Sequence, residues 1–529
     1  MSARAPVLIE GRWQASRDAG GEFRGFDPSR GEAVGPEFPI SGAGDVEAAL
    51  ASAAAAADEL AACDPQQIAD FLDAYALAIE HDAADLVALA HLETALPTEP
   101  RLAKVELPRT TGQLRQAARA VRERSWTQPT IDTAAGLRSH LAPLHKPVLV
   151  FGPNNFPFAF NAVAGSDFAS AIAARNPVIA KVHPSHPATS QRLAELAHRA
   201  LAQAGLPPAA LQVLYHLPPE LGLRLAGDAR LGALAFTGSR RAGLALKAAA
   251  DAAGVPAYLE LSSINPVFVL PGALRERGAA LAQEFFASCT MGAGQFCTNP
   301  GVVVVARGEL GDAFVDAAAA LFAQAPAGVL FSQGVADHFG ESTAQWRAAG
   351  ASLIGGGAES ADAGYRVQPA LWSVDAEAFI ADARLRGEAF GPASLIVRTR
   401  DDYYDMLSIA QSLEGNLTAT IYASGDDAYV QAALAARLRP RVGRLIGNRM
   451  PTGVAVSAAM NHGGPYPSTG HPGFTSVGLP AAIRRFAALH CYDQIDDALL
   501  PPELRDRNPG GVARCIDGQW RTDDIGASA

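Results

Sequence analysis

Short, continuous apolar runs alternate with longer amphipathic stretches from about residue 146 onward. Val148-Leu149-Val150-Phe151 is β-branched and aromatic, ends at Gly152-Pro153, and reads as a buried strand. After Asn154-Asn155-Phe156-Pro157 the spacing predicts a helix from about Asn161 to Arg175, stopped by Asn176-Pro177. Val178 to Val182 is the next strand, and a helix from Ala188 to Ala204 closes at Gly205 with Pro207 just beyond. Leu211–Tyr215, Leu231–Phe236 and Ala257–Leu261 continue the series, with a short helix and then a helix from Arg240 to Ala253 between them. This repetition predicts an α/β fold, a parallel sheet covered on both faces, with ligands at the carboxyl ends of its strands.

A second α/β pattern starts at Leu274, with strands expected near Val302, Val367, Ser394, Leu417 and Val442, and implies a second domain facing the first across a cleft. The flanks are less regular. Residues 1–44 read as a surface arm. Asp45–Ala62, Pro65–Leu96 and Lys104–Arg124 read as helices, the last with a basic face taken as solvated. Pro451–Thr475 reads as a long ordered loop on the cleft, and the tail beyond Asp493 as irregular.

At 529 residues the chain exceeds what one core organises, so two or three domains are expected. A composition of 49% hydrophobic and 18% charged residues excludes disorder, and a net charge of −11 without a basic, aromatic-rich cluster argues against nucleic acid. Met1–Trp13 lacks the apolar centre of a signal peptide, and no apolar run reaches membrane-spanning length. Five scattered cysteines give no disulfide framework, so a reduced, cytoplasmic setting is expected.

Chemistry enters at Cys297, in Gly292-Ala293-Gly294-Gln295-Phe296-Cys297-Thr298-Asn299-Pro300-Gly301. A thiol between a helix end and a strand start, in a glycine-flexed loop, can face a cleft with backbone N–H groups beside it, as acyl chemistry needs. The loop alone leaves an ordinary buried thiol equally open. Cys63, Cys289, Cys491 and Cys515 read as structural. Gly238-Ser239 follows a strand and opens a helix, a phosphate-binding placement, though the spacing departs from G-x-G-x-x-G and a Ser239 N-cap fits as well. Glu260 ends an apolar strand, where burial would raise its pKa and suit it to act as a base; a buried ion pair is the alternative. Asn155 reads as an oxyanion donor or a turn residue, and Glu388 as a surface residue. His183 and His186 lack further ligands, so no metal is expected.

Taken together, Phe151-Gly152-Pro153-Asn154-Asn155-Phe156-Pro157, Lys181, Phe236-Thr237-Gly238-Ser239, Glu260-Leu261, Gly294-Gln295-Phe296-Cys297 and Glu388-Ala389-Phe390-Gly391-Pro392 resemble the aldehyde dehydrogenase superfamily in order and spacing. The resemblance runs from about Arg12 to Asp496. It is closest to the NADP-dependent and α-ketoglutarate semialdehyde (2,5-dioxopentanoate) dehydrogenases, through His183-Pro184-Ser185-His186-Pro187, the Pro451–Pro467 loop and the Asp497–Pro502 tail. It implies a Rossmann-type cofactor domain (1–121 and 146–262), an α/β catalytic domain (263–474), a β oligomerisation extension (122–145 and 475–495) and a tail (496–529). It also implies a Cys297 thiolate that attacks the aldehyde, Asn155 with the Cys297 N–H as oxyanion hole, hydride transfer to nicotinamide, and Glu260 as the base for thioester hydrolysis. The implied cofactor set is Lys181 on the ribose, Thr237, Gly238 and Ser239 on the pyrophosphate, and Glu388 and Phe390 on the nicotinamide ribose, with Gly243, Phe151, Pro153 and His183. Pro184, with histidines beside it, stands where NAD-preferring members carry a Glu, so NADP use is expected, with NAD tolerated. Asn154 replaces a frequent Trp, and Gly387 a frequent acidic residue. A homodimer or dimer of dimers is implied, formed by strands from Arg122–His145 and Ala487–Tyr492. The rivals are a medium-chain or fatty aldehyde dehydrogenase using Phe156, Phe158 and Phe160, a CoA-acylating enzyme, which Glu260 argues against, and a cofactor-free cysteine hydrolase. For a semialdehyde carboxylate, Arg449 is the basic partner considered.

Overall fold

The computed structural model describes residues 4–526 apart from 359 and 402. Its first sheet has seven strands in the order Ala257–Glu260, Ala233–Thr237, Val148–Phe151, Val178–Lys181, Leu211–Leu214, Val7–Ile9 and Arg12–Gln14. The first five are parallel and almost wholly buried, as their unbroken apolar runs require. The expected surface arm is corrected here: Val7, Leu8 and Ile9 are fully buried and extend the sheet antiparallel to Leu211–Leu214. Gly and Pro around this short segment masked its apolar core.

The predicted helix at 161–175 shrinks to Ser166–Ala173. Asn161 explains the loss: its Nδ2 donates to the Pro157 carbonyl (2.8 Å) and to Ser190 Oγ (2.8 Å), while its Oδ1 accepts from Val163 N (3.1 Å). That local bonding competes with helix initiation.

The second sheet also has seven strands: Ser352–Gly356, Ala370–Asp375, Ala393–Thr399, Val302–Ala306, Val267–Val269, Asn416–Tyr422 and Val442–Gly447. All neighbours are parallel except the first pair. The strand expected near Val367 is a two-residue piece paired to Gly328–Val329, outside this sheet. A five-stranded sheet joins Ala487–Asp493 to Leu137–Pro143, Thr130–Asp132, Arg514–Ile516 and Gln519–Arg521, so the tail is not irregular throughout. No helix among the described residues is long and apolar enough to cross a membrane.

Candidate active site

The loop carrying Cys297 has a forced conformation. The helix Pro271–Thr290 ends, and Gly292, Ala293 and Gly294 then take φ of 56°, 53° and 68° in succession. A Cβ at Gly294 would approach the Gly391 carbonyl oxygen to 2.2 Å, so this turn needs glycine both for its handedness and for its space. Gln295 pins the loop by donating to the Val329 carbonyl (3.1 Å) and accepting from Phe331 N (2.9 Å). Beyond it, Asn265 Nδ2 donates to the carbonyls of Cys297 and Asn299, both at 2.9 Å.

Three reactive groups meet there. Cys297 Sγ lies 3.4 Å from His462 Nε2, and the same nitrogen is 2.8 Å from Glu260 Oε1. One donor atom from each residue lies within 4.8 Å of the others. Ser476 Oγ, 3.0 Å from Glu260 Oε2, holds the second carboxylate oxygen, and His462 N donates to Thr475 Oγ1 at 2.8 Å. Burial and then the Glu260 charge push the Cys297 thiol well above its ordinary range. For Glu260 the direction expected from sequence is corrected. Desolvation, the largest influence, does raise its pKa, but the His462 charge and hydrogen bonds from His462, Cys297 and Ser476 outweigh it and hold the carboxyl below the usual value. The proton of the resting thiol therefore has a route into the Glu260–His462 pair.

Asn155 is buried beside this cluster, its Nδ2 donating to the Gln295 carbonyl (3.0 Å) and leaving a second amide hydrogen free for a developing oxyanion. Its backbone carbonyl accepts from Arg101 Nη2 (3.1 Å), and Arg101 is ion-paired to buried Glu106. Glu106 Oε1 in turn accepts from the N–H groups of Phe158 (2.8 Å) and Ala159 (3.0 Å), so one carboxylate and one guanidinium clamp the Asn155 turn.

Along the rim of the first sheet, strand register sets Phe151 opposite Lys181 and Phe236, and Thr237 opposite Glu260. Burial lowers Lys181 to about 8. It takes His183 well below its ordinary value, helped by Lys181, His186 and His216, and lowers His216 as well. His216 Nδ1 is buried without a partner, and none of Lys181, His183 and His216 has a carboxylate at salt-bridge distance among the described residues. Burial thus favours neutral imidazoles at His183 and His216, and Lys181 is the cation of this crevice.

A model of the aldehyde dehydrogenase family matches residues 13–482. The chain belongs to that family. It is 41% identical to alpha-ketoglutaric semialdehyde dehydrogenase 2 of Azospirillum brasilense, over 96% of this chain and 98% of that protein. It is 36% identical to the alpha-ketoglutaric semialdehyde dehydrogenase of Acinetobacter baylyi, over 86% and 87%. Among solved structures, PnpE in complex with nicotinamide adenine dinucleotide superposes with a TM-score of 0.80 at 21% identity, over 93% of this chain and 97% of that one. Family membership makes the protein an oxidoreductase acting on aldehydes.

For a dehydrogenase of this family, the structure gathers Cys297, Glu260 and Asn155 at one point, with Thr237 directly opposite Glu260 across the strand pair and Gly238 next to it; Gly238 N donates to the Glu260 carbonyl at 3.0 Å. Phe151 and Pro153 border the crevice, the Pro153 carbonyl lying 3.0 Å from His186 Nε2. Ser239 caps its helix by accepting from Ala242 N (3.4 Å), and Gly243 packs inward, where a Cβ would meet Leu261 at 2.3 Å. Gly243 therefore allows its helix to pack closely on the strand below. Glu388 is not the surface residue it resembled: burial raises it to about 7, against hydrogen bonds from Ser262 and Ser263, and Phe390 follows in the same turn. Arg449 is exposed on its loop. Cys289 is sealed in the core, its thiol pushed up to about 12 by burial, and is inert.

Sequence reasoning missed His462, Arg101 and Glu106. His462 lies in a loop whose Gly, Pro and Ser content signals only irregular backbone, and nothing in a single sequence pairs it with residues 165 and 202 positions away.

Proposed function

We propose that the protein oxidises a carboxylate-bearing semialdehyde, such as 2,5-dioxopentanoate, to the acid with NADP, accepting NAD less well. The observation that carries the reaction type is the convergence of Cys297, His462 and Glu260 beside the Asn155 amide. Semialdehyde use is supported by the names of the two relatives above.

Lys181, His183 and His216 would hold the anionic adenosine end of a nicotinamide cofactor, Thr237, Gly238 and Ser239 its phosphates, and Glu388 with Phe390 its nicotinamide ribose. When bound, that cofactor supplies the hydride acceptor. The remaining work falls to this chain. Cys297 Sγ attacks the aldehyde carbon as its proton leaves to the Glu260–His462 pair, and the alkoxide is met by Asn155 Nδ2 and the Cys297 N–H. Once the thioester stands on Sγ, Glu260 takes a proton from water, whose oxygen attacks the acyl carbon and expels the thiolate. A Cys–His–Glu cluster would equally serve a cofactor-free hydrolase. Lys181 on the rim of the first sheet, with Thr237 and Gly238 beside Glu260, favours the dehydrogenase.

An aldehyde panel followed by absorbance of reduced cofactor tests this. Oxidation is expected only with a nicotinamide cofactor, and ester hydrolysis without any aldehyde oxidation would turn the reading to the hydrolase. In the same assay kcat/KM should favour NADP, because among the described residues no carboxylate pairs with Lys181 to repel a 2′-phosphate. Catalytic efficiency about tenfold better with NAD would reject that preference.

The domain division given above is retained, with Ala487–Asp493 as the strand offered to a second subunit: it forms one edge of its sheet, and Leu489 on it is 72% exposed. A homodimer or dimer of dimers is expected, and light scattering that finds only monomer at micromolar concentration contradicts it. A reducing, cytoplasmic setting fits five free cysteines.

A further inference from the structure

The basic face of the helix Leu107–Glu123 is not solvated throughout. Arg115 pairs with Glu80, and Arg122 with Asp70 and Asp73, all at the surface. Arg109 differs. Its Nε and Nη2 are sealed from solvent without any hydrogen-bond partner, and no carboxylate reaches it at salt-bridge distance among the described residues. Glu106, its nearest acidic influence, is already committed to Arg101 and to the Phe158 and Ala159 N–H groups.

Its position explains what would balance that cost. The guanidinium carbon lies 5.1 Å from the centre of the Phe160 ring and 5.7 Å from that of Phe156. Phe160 is 5.8 Å from the His462 ring, and Phe156 is 5.5 Å from Phe296, the residue next to Cys297. Arg109 and Cys297 thus adjoin the same group of aromatic rings, close enough that the Cys297 thiol feels the arginine's charge. Arg444, the other half-buried cation near Cys297, spends its donors on the carbonyls of Gly453 (3.1 Å) and Pro451 (2.9 Å).

We propose that Arg109 is the specificity-determining residue that receives the distal carboxylate of a short ω-oxo acid, with Phe156 and Phe160 flanking the chain between carboxylate and aldehyde. This rests on the semialdehyde reading above. Burying an unpaired guanidinium is costly, and a planar carboxylate matches its donor fork.

The test compares 5-oxopentanoate with pentanal, equal in chain length, in the wild type, Arg109→Met and Arg109→Lys. In the wild type kcat/KM is expected to favour 5-oxopentanoate at least tenfold. Arg109→Met should shrink that ratio by roughly ten- to a hundredfold, chiefly through KM, and Arg109→Lys should restore part of it. Cofactor binding by fluorescence quenching checks that the variants are folded. Loss of both activities in the same proportion, or an unchanged ratio in Arg109→Met, overturns the assignment while leaving the semialdehyde reading intact. A wild type that itself prefers pentanal overturns both.

Discussion

Cys297→Ala is expected to cut aldehyde oxidation by ~10⁴-fold or more while cofactor still binds, because the variant removes the atom that becomes covalently attached to substrate and leaves the rim of the first sheet untouched. The geometry makes this a sharp expectation. Within the cleft Sγ faces both His462 Nε2 and the Glu260 carboxylate, and Cys289, the thiol on the helix leading into the same loop, is buried in the core against Asn299 with its pKa pushed up to about 12. The measurement is steady-state reduction of NADP beside cofactor titration by fluorescence. Turnover within about a hundredfold of wild type would place the nucleophile elsewhere.

How the site is encoded explains which parts of it the sequence disclosed. The parallel strands were legible because they are buried on both faces and so read as unbroken apolar runs; Val148–Phe151 and Val178–Lys181 are examples. Cys297 was legible because its turn needs left-handed backbone at Gly292 and Gly294, a local demand that leaves a local signature. Short or glycine-broken strands were not. Val267–Val269 is only three residues long, and Ser352–Gly356 ends in two glycines, one of them at φ 66°. The misjudged side chains share a different cause, since their roles arise from tertiary contact alone. His462 acquires a partner in Glu260 only when the loop folds over the cleft, and Arg109 is separated from the other arginines of its helix only by what lies across from it. Glu260 shows the limit of reasoning from burial. Desolvation does act on it as expected, but four neighbouring influences that no strand pattern reveals reverse the outcome.

Glu260→Gln separates the two halves of the reaction. The amide cannot take a proton from water, so deacylation should slow by roughly 10²- to 10⁴-fold while the first turnover survives, giving a burst of about one reduced cofactor per site followed by a slow phase. Thiol reactivity should move the opposite way. Burial raises the Cys297 pKa first, and the next two causes are the charge of Glu260 and its hydrogen bond, so neutralising that carboxylate lowers the pKa. Alkylation of Cys297 by iodoacetamide therefore rises at lower pH in Glu260→Gln than in the wild type, even as steady turnover collapses. His462 sharpens the result, because in the variant its Nε2 faces the sulfur without a competing carboxylate 2.8 Å away. A variant with slow turnover, no burst and an alkylation profile shifted to higher pH would mean that His462 cannot take the thiol proton without Glu260, and the division of labour among Cys297, His462 and Glu260 would have to be redrawn.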